Sequence, residues 1–156
     1  MPNRRQLLKY FAALSAASFG GGMLSQSAAA RVIGWKNWSG SQSCVPSARL
    51  APASLPELQQ LVAESVGPIR PVGAGHSFSP LVPTDGQIVS LARLNGLVSH
   101  DPAQLRATFL AGTQMSAMGA PLHEVGQALI NMPDIDEQVI AGAIATGTHG
   151  SGANIG

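Results

Sequence analysis

Charge is scarce in this sequence. Only 11% of its residues are Asp, Glu, Lys or Arg, and no lysine follows Lys36. A chain so poor in cations lacks the basic stripe that nucleic-acid binding requires, so no nucleic acid partner is expected. Cysteine is scarcer still. Cys44 stands alone, which excludes an internal disulfide and any thiolate cluster for zinc or iron–sulfur chemistry, and it reads as a small, partly buried apolar side chain. The longest apolar stretch falls short of the roughly 18 to 20 residues that cross a bilayer, so no permanent membrane anchor is expected. Glycine and proline, by contrast, are plentiful at 18 and 11, a composition that suits a compact chain with many built turns. Its length suffices for one well-filled domain and not for two.

Residues 1–30 read as an export address. Arg4, Arg5 and Lys9 are the only charges there, and they form a positive head, Asn3-Arg4-Arg5-Gln6-Leu7-Leu8-Lys9. An Ala- and Ser-rich apolar stretch follows over residues 10–24, weakened as a helix by Gly20, Gly21 and Gly22. Ser27-Ala28-Ala29-Ala30 then supplies the small residues a signal peptidase needs. The string RRQLLK resembles the twin-arginine motif, which implies a periplasmic or extracellular protein exported already folded. Folded export allows a cofactor found only in the cytoplasm to be loaded first.

Residues 31–43 read as an irregular lead-in, and the domain proper spans 44–156 with regular structure beginning near Cys44-Val45. Ser54-Leu55-Pro56-Glu57 is a helix start, with a Ser N-cap, a Glu three residues on and a proline in the first turn. Leu55, Leu58, Leu61, Val62 and Val66 recur at helical spacing, so residues 55–65 are expected to form a helix with one buried face, stopped at Gly67-Pro68. Residues 69–72 are extended. Strands are expected at 87–91 and, from the alternation of Leu105, Ala107, Phe109 and Ala111, at 105–111. Residues 115–129 read as a helix with Met118, Leu122, Val125 and Leu129 on one side, and 139–145 are apolar and small. Strands mixed with helices indicate an α+β or α/β domain.

Two segments carry the chemistry. Val72, Gly73, Ala74, Gly75, His76 and Ser77 form one, and Thr146, Gly147, Thr148, His149, Gly150, Ser151 and Gly152 form the other. Each crowds glycine, hydroxyl residues and histidine behind an apolar run, so the backbone can approach a ligand closely and offer N–H and O–H donors. Such a nest binds phosphate without cations, and neither turn contains one. Familiar alternatives fail on spacing. A Rossmann turn needs glycine where Phe78 stands, a P-loop needs a Gly-Lys pair that the chain lacks, and a serine-hydrolase elbow needs glycine where Ser79 stands. His123-Glu124 begins a zinc-protease pattern, but Gln127 occupies the second histidine's place. His76, His123 and His149 lie on distant segments, so a metal site would require the fold to gather them, and none is expected. His100 reads as a surface loop residue.

In collinear order, the tryptophans Trp35 and Trp38, the P-A-S-L-P-E-L helix, R-P-V-G-A-G-H-S-F-S-P, Ala111-Gly112-Thr113 and M-P-D-I-D-E-Q-V-I-A-G-A-I-A-T-G-T-H-G-S-G resemble a known family. It is the PCMH-type FAD-binding domain of the vanillyl-alcohol oxidase superfamily, in its sugar-1,4-lactone oxidase and alditol oxidase branch. The resemblance implies an α+β fold, the N-terminal portion of a two-lobed domain incomplete at the C-terminus, which grips an extended FAD. It places Gly73 to Ser77 around the pyrophosphate, and Ala141, Gly142, Ala143 and the second turn along the cofactor. It implies that His76 is bonded covalently to the flavin, since neutral imidazole is a good nucleophile near pH 7, and that His149 positions its loop. The reaction implied is hydride removal from a carbinol of a sugar lactone or polyol to flavin N5, with electrons passed to oxygen or another acceptor. The remaining FAD lobe, the substrate cap and the catalytic base are expected outside this sequence. The chain alone is therefore expected to be inactive, and the alternative reading is a non-catalytic binding or interaction module.

Overall fold

A computed structural model describes residues 33–155. The expected export segment at 1–30 lies outside the described residues. The lead-in is more regular than its sequence suggests: β1 (Trp35–Lys36) and β2 (Ser43–Cys44) pair antiparallel, Trp35 opposite Cys44. Asn37, only 5% exposed, closes the loop between them. Its backbone N–H donates to the Gln42 carbonyl at 2.9 Å, and its Oδ1 accepts the Gln42 N–H at 3.0 Å. A loop closed by one side chain leaves no periodic signal, which is why the sequence reads as irregular until Cys44.

The site is built on a parallel sheet of three strands, β3 (Ala48–Leu50), β4 (Ile69–Val72) and β5 (Gln87–Ser90), in the order β3-β5-β4. Ile88 and Val89 in β5 are 1% and 3% exposed. Adjacent strand residues point to opposite faces, so this central strand is covered on both sides. Helix α1 (Leu55–Glu64) makes the crossover from β3 to β4. Its start follows the expected chemistry: Ser54 Oγ accepts the Glu57 N–H at 3.3 Å, and Glu57 Oε2 accepts the Ala53 N–H at 2.7 Å. The fully buried face is not realised. No residue of α1 is buried, Leu58 and Leu61 are half-buried, and Leu55 and Val62 are exposed. Periodicity chooses the side that faces the protein, but three strands of three or four residues offer too little surface to cover a full stripe.

A hairpin follows, β6 (Leu97–Asp101) with β7 (Arg106–Phe109), antiparallel and irregular between Leu97 and Ser99. His100 is exposed but lies in β6 opposite Ala107, not in a loop. Ala107 and Phe109 face inward as expected, whereas Leu105 does not begin the strand. Asp101 Oδ1 accepts the N–H groups of Ala103 and Gln104 at 2.9 and 3.0 Å, and this turn leaves Leu105 exposed at φ 51°.

The single helix expected over 115–129 is broken. A 3₁₀ turn at Met115–Ala117 precedes α2 (Gly119–Glu124), and Gly126 at φ 72° ends it. The Gly126 N–H donates to the His123 carbonyl and the Gln127 N–H to the Leu122 carbonyl, a Schellman stop that only glycine adopts without strain. Residues 139–145 contain a third short helix, α3 (Ile140–Ala145). Met115, Met118, Leu122 and Ala143 form a small core, with Phe109 and Ile140 packed against it. Thr113 joins these pieces. It is 2% exposed, its Oγ1–H donates to the Leu110 carbonyl, its Oγ1 accepts the Gly96 N–H, and its carbonyl accepts the Ile140 N–H. Among the described residues no helix is long and apolar enough to cross a membrane.

Candidate cofactor site

Parallel strands end on the same side of their sheet, and ligands of such sheets bind beyond the carboxyl ends. β4 runs out into Gly73-Ala74-Gly75-His76-Ser77, and β5 into Leu91-Ala92. The segment after β7 is tied to the start of α3 by a bridge between Gln114 and Val139. Together they enclose a cleft of about 890 Å³, a size suited to a substantial organic ligand. The whole of the first glycine segment, Val72 to Ser77, lines it, as do Ala141, Gly142, Thr146 and Thr148 from the second.

The first turn is built to donate. The backbone N–H groups of Ala74, Gly75, His76 and Ser77 make no hydrogen bond among the described residues. Consecutive N–H groups in a glycine turn form an anion-binding concavity, and Gly75, at φ 75°, supplies its left-handed step. The turn is held from behind: the Trp38 N–H donates to the Gly75 carbonyl at 2.9 Å, and Asn37 Nδ2 donates to the Ser77 carbonyl at 3.1 Å. Gly73 has a separate reason to be glycine, because a Cβ there would lie 2.5 Å from Val139 Cγ2.

The second turn works differently from the sequence reading. Its Thr146, Gly147 and Thr148 N–H groups donate to the carbonyls of Gly142, Ile144 and Ala143 at 3.1, 3.3 and 2.9 Å, so they terminate α3 and are not free for a ligand. What it brings to the cleft is side-chain chemistry. Thr148 Oγ1–H donates to Gln138 Oε1 at 2.7 Å, which leaves the Gln138 amide NH₂ as a donor, and Thr146 Oγ1 lies 3.3 Å from Thr148 Oγ1. Ala143 points into the core. Gly147, His149, Gly150, Ser151 and Gly152 do not line the cleft. His149 Nδ1–H donates to the Gly150 carbonyl at 2.8 Å. Gly150 is packed so closely on the loop below that a Cβ would overlap Asn131 Oδ1 and the Met132 carbonyl, so its glycine serves chain packing.

Sequence reasoning missed Arg70, Ser90, Asn95 and Gln138 as lining residues. Among the described residues that line the cleft, Arg70 is the only Arg or Lys, three places ahead of the first glycine. Ser90 and Asn95 belong to no motif and are found only by knowing that β5 runs parallel beside β4. No group of three or more His, Cys, Asp or Glu side chains comes together among the described residues.

Four backbone N–H groups without a partner among the described residues, at the carboxyl end of β4 and with hydroxyls and one arginine in the same cleft, make a site suited to a phosphorylated cofactor. Comparison with known proteins agrees. Residues 46–156 match the model of the FAD binding domain family, and the chain belongs to that family, with FAD as its cofactor. It is 37% identical to an L-gulono-1,4-lactone dehydrogenase of Mycobacterium tuberculosis over 121 residues, which is 76% of this chain and 28% of that protein. It is 38% identical to a D-arabinono-1,4-lactone oxidase of Kluyveromyces lactis over 124 residues, 75% of this chain and 24% of the relative. A long-chain alcohol oxidase from an uncultured marine euryarchaeote is 41% identical over 76% of this chain and 25% of its own. The chain thus spans about a quarter of the length of these relatives. In fold it resembles cholesterol oxidase from B. sterolicum, with a TM-score of 0.58 at 22% identity over 76% of this chain and 24% of that one. The residues present fit FAD: the donor run matches a pyrophosphate, and a cleft with few charges matches its ring systems.

Proposed function

We propose that this chain forms the pyrophosphate-holding part of the flavin site in an exported oxidoreductase that oxidises a carbinol of a sugar lactone or polyol. The observation that carries the reading is the run of four N–H groups from Ala74 to Ser77 that have no hydrogen-bond partner among the described residues. The substrate class rests on the lactone-oxidising relatives. Bound FAD supplies the hydride acceptor, and oxygen or another acceptor then takes the electrons.

The chain's own residues bind and orient. Ala74 to Ser77 grip the phosphates through their N–H groups, Arg70 adds one positive charge at the cleft, and Thr146, Thr148 and Gln138 offer polar contacts farther along. His76 is the attachment point. Its imidazole nitrogen would hold FAD covalently; such a C–N bond would replace one imidazole N–H and one flavin C–H, with dioxygen taking up the two hydrogens and two electrons.

The grip is tested by comparing flavins. Hydrogen bonds to a charged group are worth roughly 1.5–3 kcal/mol each, so losing two of them in riboflavin, which has no phosphate, weakens binding by about a hundredfold or more relative to FAD. Equal affinity for the two would remove the pyrophosphate role. In the complete oxidoreductase that includes this chain, loaded with flavin, anaerobic addition of sugar lactones, polyols and long-chain alcohols is expected to bleach the flavin with the first two classes. Bleaching by the alcohols alone would overturn the substrate assignment.

Export rests on Arg4, Arg5 and the small residues Ala28, Ala29 and Ala30. Replacing both arginines by lysine is expected to hold the precursor in the cytoplasm, followed by fractionation and immunoblot. Undiminished appearance of the processed form outside would show that another route carries it.

A further inference from the structure

His76 sits between two carbonyls that are both held by the same pair of residues. Gly75 O, before it, accepts the Trp38 N–H, and Ser77 O, after it, accepts from Asn37 Nδ2. Asn37 is itself fixed, since Nδ2 also reaches Ser39 Oγ at 3.1 Å and Ser41 Oγ at 3.2 Å while Oδ1 holds the Gln42 N–H. The backbone of His76 is therefore set by Asn37 and Trp38. Its ring is set by Trp38, whose indole stacks on the imidazole with centroids 5.3 Å apart and planes at 17°. Phe78 meets the indole edge-on at 6.3 Å and 84° and steadies it. Trp38 and Phe78 are 65% and 66% exposed, so neither is there to fill a core. The second torsion of a histidine is broad and nearly two-fold, and a ring without such a neighbour would sample many planes. Offset stacking at this separation is favourable and selects one.

We propose that Trp38 is a positioning residue for His76, its indole holding the imidazole in one plane at the cleft so that attachment to flavin starts from a single ring orientation. The proposal rests on the attachment reading for His76. It assigns a role to an exposed aromatic outside both glycine turns, in the β1–β2 loop. The chemistry is unchanged by it: the C–N bond still forms at the imidazole nitrogen and dioxygen still removes the two hydrogens. Trp38 changes the fraction of time the nitrogen is correctly aimed.

The test uses the full chain as wild type, Trp38→Phe, Trp38→Leu and His76→Ala. Without cofactor, the proton resonances of the His76 ring, assigned by their loss in His76→Ala, are expected to show an upfield ring-current shift in wild type. The shift is retained in part by Trp38→Phe and lost in Trp38→Leu. After FAD is added, acid-stable flavin is expected to form about three- to tenfold more slowly in Trp38→Leu, the range an aromatic pair contributes, with Trp38→Phe close to wild type and reversible FAD affinity unchanged. Equal rates in wild type and Trp38→Leu overturn the proposal, as does a Trp38→Phe rate no better than that of Trp38→Leu. Failure of the attachment reading looks different. His76→Ala then retains acid-stable flavin, or wild type forms none, and the ring-proton shifts alone decide whether Trp38 holds His76, their absence in wild type overturning it.

Discussion

Replacing His76 by alanine in the flavin-loaded protein is expected to abolish acid-stable flavin completely, while FAD still binds reversibly. The two effects separate because they come from different atoms. The phosphate grip belongs to backbone N–H groups that a side-chain change leaves in place, and the bond belongs to the imidazole alone. Loss of the ring removes at most one aromatic contact, so the affinity for FAD is expected to fall by no more than about tenfold. In the complete oxidoreductase that includes this chain, turnover is expected to slow as well, since an unattached flavin of this kind is a weaker oxidant with a smaller driving force for hydride uptake. The measurement is flavin fluorescence of the denatured protein on a gel, against free flavin in the supernatant. Retention of acid-stable flavin by His76→Ala would move the linkage to another side chain and sink the assignment.

Gly112→Ala is expected to be the most damaging single-methyl change in the cleft. Gly112 is buried where the segment after β7 crosses the end of β5 and its continuation, and a Cβ there would overlap the Leu91 carbonyl and come within 2.9 Å of the Leu94 carbonyl. Those neighbours are backbone, which cannot rotate away. The Gly112 N–H also donates to the Leu94 carbonyl at 2.9 Å, so any retreat breaks a bond. Overpacking without room to relax costs about 3 kcal/mol, equivalent to a fall of about 10 °C in melting temperature. Because Leu91 and Gly112 both line the cleft, FAD binding is expected to weaken along with stability. Gly119→Ala is the control. No atom lies near its Cβ position and it begins α2, so alanine there is expected to stabilise by about 0.5–1 kcal/mol. A Gly112→Ala protein that melts like wild type and binds FAD normally would show that the two segments are not locked together.

The first glycine turn was legible because its chemistry is local. Glycine at 73 and 75, an apolar strand before them and hydroxyls after them suffice to describe a turn whose backbone can donate, and among the described residues the N–H groups of Ala74 to Ser77 have no hydrogen-bond partner. The second turn has the same composition but not the same use. Its N–H groups are consumed by the carbonyls of α3, and the presence of that helix is decided by what the segment packs against: Met115, Met118 and Leu122 bury Ala143. Gly150 likewise reads as a ligand-facing glycine and proves to be one that lets the chain pass Asn131 and Met132. Leu105 shows the limit of alternation, for Asp101 captures the preceding turn and takes Leu105 out of the strand.

By itself the sequence determined which elements begin where capping and glycine chemistry is strong: the Ser54 start of α1, the extended run into Gly73 and the glycine turn that follows it at the cleft. These depend on neighbours within a few residues, so composition and spacing carry them. Only the tertiary structure decided that Asn37 and Trp38 brace the turn of His76, that Ser90 and Asn95 join the cleft, and that the second turn offers hydroxyls and not backbone donors. The first two depend on pairing between segments well separated in sequence, and the last on the packing of α3 against Met115, Met118 and Leu122. The parallel register of β4 with β5 and the Asn37 hydrogen bonds set that pairing, and no local pattern records it.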